Sequence, residues 1–157
     1  MKLLACHIAD LKGSGLTSET IEKSRVFSVN SVRASKILGW QIECGGLVFP
    51  YDLGRGREFF RVKPDTPYKP PGWDKSAKYL TPRKARNHLY IPPTLDGDVL
   101  TDVSQSLLLT EGEKKGLSAT QFGFPCVALP GVWAWVEGKE PATQQRLVIK
   151  DFDRIEW

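Results

Sequence analysis

Three cysteines, Cys6, Cys44 and Cys126, are spread over 157 residues with no Cys-x-x-Cys pair among them. That spacing offers neither a zinc knuckle nor a disulfide framework, and reduced, packed thiols are the expectation. Two histidines, His7 and His88, are too isolated to suggest a metal-ligand cluster or a Cys-His nucleophile pair. No apolar run approaches the roughly 20 residues that span a bilayer. The apolar stretch before Cys6 in "MKLLAC" is too short for a signal peptide, so a cytoplasmic chain with no membrane partner is expected. Internal repeats and low-complexity tracts are absent as well.

What is present is an ordinary globular composition, 41% hydrophobic and 25% charged, which suits one domain with a real core. The net charge of +4 is unevenly placed. Residues 1–90 carry 16 Lys and Arg against 8 Asp and Glu, whereas residues 91–157 carry 6 against 10. The basic half is densest from Tyr51 to Tyr90. A basic surface beside an acidic region suits a protein that grips a polyanion and places a divalent cation against it.

The pattern of elements divides the chain in three. Residues 1–44 read as a helical segment, with starts at Thr17 or Ser18 and at Ser28 or Asn30, and a stop at Gly39. Residues 45–105 read as a small antiparallel basic unit. In it, Leu47-Val48-Phe49 and Phe59-Phe60-Arg61-Val62 flank a glycine-rich turn at Gly54-Arg55-Gly56. A proline-rich loop, two short strand-like pieces ("KYLTP" and "HLYIPP") and a polar connection follow. Residues 106–157 open on the apolar run Leu107-Leu108-Leu109, expected as a strand buried on both faces. A helix from about Glu111 to Phe122, closed by Gly123, leads to a strand over Phe124–Leu129. Strand, helix and strand in so short a span make a βαβ unit with parallel pairing. The fold class expected is therefore α/β (α+β).

Glu111 stands where the first of these strands gives way to the helix. Acids in a first helical turn interact favourably with the helix dipole, so Glu111 and Glu113 ahead of Lys114 and Lys115 need no chemistry to explain them. Ligands of α/β sheets, however, bind beyond the carboxyl ends of the strands, and the glycine after Glu111 admits a close approach. Phosphoryl transfer uses carboxylates there to hold divalent cations, and one glutamate alone does not suffice.

"LLLTEGEKKGLSATQFGFPCVALPGV" resembles the first motif of the Toprim domain, shared by bacterial-type primases, topoisomerases and recombination-repair proteins. Upstream, "GGLVFPYDLGRGREFFRVKP", "AKYLTP" and "HLYIPP" follow in order the N-terminal part of the bacterial primase catalytic core. The run from about Leu11 onward also resembles a Toprim-like domain of unknown function found in primases of plasmids, phages and integrative elements. The resemblance implies that Glu111 is the Toprim glutamate and that Mg²⁺ is the cofactor. It implies that Arg61 and Lys78 face single-stranded DNA or RNA, a surface that Lys63, Arg83, Lys84 and Arg86 extend by charge alone. Nucleotides, and a helicase or replication domain, are the implied partners. Tyr79, Tyr90 and Trp73 could stack bases, with packing favoured for the two tyrosines.

The chain departs from the family in its second acidic motif. Asp151-Phe152-Asp153 has the Asp-x-Asp form, but Lys150 directly precedes it, and "DFDRIEW" also matches a segment lying just before the metal-binding strand in the mobile-element group. The expectation is that this strand follows Trp157, leaving Asp151 and Asp153 as the weaker metal candidates. A non-catalytic nucleic-acid-binding module and a protein-interaction domain contacting partners through its proline-rich loop are the alternatives.

Overall fold

A computed structural model describes residues 2–69 and 74–157. The chain is mixed α/β: short helices and a small antiparallel sheet precede a parallel βαβ unit.

The N-terminal helices begin and end where their polar punctuation requires. Helix α1 spans Ala5–Lys12, α2 spans Ser18–Lys23 and α3 spans Ser31–Leu38. The Thr17 hydroxyl accepts the Thr20 N–H at 3.1 Å, and the Asn30 side-chain oxygen accepts the Arg33 N–H at 3.0 Å, so each cap occupies one orphan donor. Gly39 stops α3 at φ +73°, a left-handed conformation that costs glycine little. Helix α1 was not expected, and it has no side-chain cap to advertise it.

Strands β1 (Phe27–Val29), β2 (Gly46–Asp52) and β3 (Glu58–Pro64) form the antiparallel sheet in the order β1-β2-β3. The β2–β3 register pairs Leu47 with Lys63, Phe49 with Arg61 and Tyr51 with Phe59. Because side chains alternate across a strand, all six lie on one face. That face meets Leu11, Leu16 and Ile21 of the N-terminal segment and Leu117 and Ala128 of the C-terminal one. One core cluster thus draws on all three sequence segments. Val48 and Val62 point to the opposite face, where they pack with Phe27, Ala34, Leu38 and Leu80.

The βαβ unit consists of β4 (Leu108–Glu111), α4 (Glu113–Gln121) and β5 (Cys126–Leu129), with β4 and β5 parallel as expected. Tyr90 bridges Ala128 of β5 in an antiparallel sense. Among the described residues β4 pairs only with β5, leaving its other edge open. The expectation of a strand buried on both faces therefore fails: Leu108 is 48% and Leu109 is 52% exposed. A hairpin of β6 (Val136–Lys139) and β7 (Arg146–Val148) and a short 3-10 helix over Lys150–Arg154 complete the chain. None of the described helices is long and apolar enough to cross a membrane.

Gly46 lies in the central strand, paired to both Val29 and Pro64. A Cβ there would stand 2.6 Å from the Lys63 carbonyl oxygen and 2.9 Å from Val62 Cγ1. Gly46→Ala should therefore cost about 1–3 kcal/mol, the usual penalty of overpacking. Gly97→Ala, where a Cβ meets nothing within 4 Å, should be nearly neutral. Thermal melts of the two variants check the contrast.

Candidate functional site

Two glutamates separated by one glycine have opposite fates. Glu111 ends β4, paired with Leu129 at the end of β5, and its side chain is exposed. Gly112 takes φ +91° and ψ 138°, outside the helical region, so α4 starts at Glu113 rather than at Glu111. The Gly112 N–H donates to the Leu129 carbonyl at 2.8 Å, which fastens the turn to the carboxyl end of β5. Glu111 is thus presented at the edge where α/β sheets bind ligands.

Glu113 turns inward and is 1% exposed. Its Oε1 accepts the Tyr51 hydroxyl and Arg61 Nη1, each at 2.7 Å. Arg61 is 7% exposed, and its guanidinium lies 4.8 Å from the centre of the Tyr79 ring. The hairpin register explains the arrangement: Arg61 sits opposite Phe49, on the face that meets α4. A buried charge survives only when paired, and this pair answers one strand with the first turn of one helix. Burial works against the Arg61 charge, but Glu113 and Tyr51 outweigh it and hold the arginine pKa above its usual value. Burial, reinforced by the Glu113 charge, raises Tyr51 well above the ordinary tyrosine range and raises Tyr90 too. Tyr79 is pushed up to about 12 by burial and by Glu113. All three remain neutral hydroxyls near neutral pH, so Tyr51 stays a donor.

A second set of charges rims the first. Asp10 of α1 accepts Lys63 of β3 and Lys114 of α4, both at 2.7 Å. Partial burial disfavours the Asp10 carboxylate, yet the two lysines prevail and hold its pKa below the usual value. Lys114 is lowered instead, because its own burial outweighs what Asp10 returns. Consecutive residues Glu113 and Lys114 therefore reach Arg61 directly and Lys63 through Asp10, two alternate residues of β3.

The remaining candidates are dispersed. Asp151 and Asp153 lie on the 3-10 helix after β7, not at the end of a strand beside Glu111. Asp151 lies 3.0 Å from His88 Nδ1 and accepts the Leu89 N–H at 2.8 Å. Although burial opposes its charge, these partners lower the Asp151 pKa, which marks it as an anchor for the His88–Leu89 segment. Among the described residues no group of three or more His, Cys, Asp and Glu side chains converges as metal ligands. Arg61 is committed to Glu113 and Lys63 to Asp10, so period-two alternation removes both from the open basic surface. Lys78, Arg83 and Lys84 are exposed; Arg86 is exposed too but is paired with Glu137. Tyr79 and Tyr90 pack in the core, and Trp73 lies outside the described residues. Glu113 and Tyr51 were not singled out from the sequence. The signal was there: alternation puts Arg61 on the face of Leu47, Phe49 and Tyr51, where an arginine needs a buried acid.

Removing one partner of a buried pair leaves the other uncompensated. Arg61→Met and Glu113→Leu should each lower stability by about 3–5 kcal/mol, while the double variant should recover most of that loss. Denaturant unfolding of the four proteins measures the coupling.

A family model described as a domain of unknown function (DUF3854) matches residues 97–154, which include β4, α4, β5 and the β6–β7 hairpin. No curated protein and no solved structure matches the chain.

Proposed function

We propose that the chain is a primase-related, nucleic-acid-processing domain of a mobile genetic element, acting in the cytoplasm. It binds single-stranded DNA or RNA through exposed basic side chains and, in the complete protein, contributes Glu111 to nucleotidyl transfer. The observation that carries the reading is the placement of Glu111: an exposed carboxylate at the carboxyl end of a parallel strand, followed by a glycine at φ +91°. The resemblance of this segment to the Toprim motif supports the same assignment.

Among the described residues no group of three or more potential metal ligands includes Glu111. The Asp151 carboxylate is held by His88 and the Leu89 amide, whereas Glu111 is an exposed carboxylate at a strand end, and Mg²⁺ takes few protein carboxylates beside its waters and substrate phosphates. The open edge of β4 supports a further strand in the complete domain. Such a strand, paired parallel to β4, would cover Leu108 and Leu109 and bring its carboxyl end beside Glu111. The role of the described residues is then to hold the single strand and to position one carboxylate.

Nucleic acid binding is electrostatic in this reading. Lys78, Arg83 and Lys84 are the exposed bases that carry it. A second reading, a binding module with no transfer chemistry, draws on the same surface and on the single carboxylate at the edge. Fluorescence anisotropy with a labelled single-stranded oligonucleotide tests the shared claim. Binding should weaken steeply with salt, and Lys78→Ala/Arg83→Ala/Lys84→Ala should reduce the log–log salt slope by about 2, at roughly 0.7 per lost phosphate contact. Unchanged affinity in the triple variant, or no binding at low salt, overturns the proposal.

A further inference from the structure

The turn that follows β5 presents an indole to solvent within a short reach of chain from the strand end paired with Glu111. Leu129 ends β5 in register with Glu111, and Trp133 follows four residues later, at most about 14 Å along the chain. The turn is well tied: the Ala134 N–H donates to the Gly131 carbonyl at 2.9 Å and the Val136 N–H to the Trp133 carbonyl at 3.3 Å. Ala134 is buried, and Trp135 packs against the core that contains Val127 and Ile149. Trp133 itself is 66% exposed. A large apolar ring held outward between anchored neighbours is not a fraying loop.

Arg146 of β7 completes the surface. Its guanidinium lies 5.0 Å from the centre of the Trp133 ring and 5.6 Å from that of Trp135. In the hairpin register Arg146 lies across from Lys139, so a second cation stands on the same short ladder. Stacking on the indoles fixes the guanidinium plane while leaving its positive charge available to an anion. A flat aromatic face next to a cation matches a ligand with a planar body and an attached phosphate. A purely apolar partner would gain nothing from Arg146 and Lys139, and a simple anion nothing from Trp133.

We propose that Trp133 and Arg146 form a stacking platform for a nucleotide of the bound single strand, with the base on Trp133 and its phosphate on Arg146. The platform deepens the nucleic-acid reading, on which it rests, by placing one nucleotide at the sheet edge next to Glu111. Base–aromatic stacking tolerates any base, so the platform positions the strand without reading its sequence. Trp133 and Arg146 are distinct from Lys78, Arg83 and Lys84, so the two sets of side chains can be substituted separately.

The test titrates the protein with an oligothymidylate of about 12 nucleotides, following intrinsic tryptophan fluorescence and, with a labelled copy, anisotropy. The wild-type protein should be quenched along the same curve that anisotropy traces. Trp133→Ala should lose most of that quenching and bind about 10-fold more weakly, with Trp133→Phe keeping most of the affinity. Arg146→Ala should weaken binding and shallow its salt dependence. Circular dichroism melts should show all three variants folded, since both side chains are exposed. Wild-type affinity and quenching in Trp133→Ala would overturn the platform. If that result came with weakened binding in the Lys78/Arg83/Lys84 triple variant, the platform alone would fall and the nucleic-acid reading would stand. No binding by the wild-type protein would remove both.

Discussion

Arg61 and Glu113 meet in the core at 2.7 Å, both nearly excluded from water, and the geometry of the sheet edge depends on that meeting. Desolvating two charges is expensive, so the pair contributes little net stability compared with a well-packed apolar pair. Its consequence is positional: the observed placement of α4 against β3 gives Arg61 an acid and Glu113 a base, and a shift that parted them would bury both charges unpaired. Tyr51 donates to the same Glu113 oxygen, and Tyr79 covers the guanidinium, so the pair is closed in from β2 and from the 79–80 segment. Asp10 then fastens α1 to both partner elements through Lys63 and Lys114.

The division of labour between Glu111 and Glu113 follows from one backbone angle. Were Gly112 helical, α4 would begin earlier and the two acids would project from one helical turn. At φ +91° the chain instead leaves β4, breaks, and restarts, so Glu113 enters the core as Glu111 stays at the strand end. A Glu-Gly-Glu sequence thus supplies a structural carboxylate and a presented one. The buried one fixes the helix, and the helix start fixes the turn that presents the other. Four residues beyond the end of β5, Trp133 holds Arg146 over its ring.

Local chemistry was legible in the sequence where a few neighbouring residues decide the outcome. One of the two residues expected at each helix start (Thr17 rather than Ser18, Asn30 rather than Ser28), the stop at Gly39, the β2–β3 hairpin around Gly54–Gly56 and the parallel βαβ unit all follow from short-range rules. What escaped depends on distant partners. Strand β1 is three residues long and exists because β2 pairs with it; α1 has no polar cap and is held by the sheet-side contacts of His7 and Asp10. Leu107–Leu109 reads as a buried strand because its residues are apolar, yet burial also needs neighbours on both sides, which composition cannot supply. Arg61 looked like a surface base because charge was counted without register. Pairing it with Phe49 moves it inside, and that single register also predicts a buried acid on the helix above.

Glu113 is the structural acid of the pair, and Glu111 is the one proposed to act in transfer. Metal-dependent primer synthesis by the complete protein, compared between wild type and Glu111→Gln alongside the melting temperature of each, separates the two roles. Glu111→Gln should abolish synthesis and leave the melting temperature unchanged, because the Glu111 side chain is exposed and outside the core. Synthesis at the wild-type rate in Glu111→Gln would contradict the proposed role.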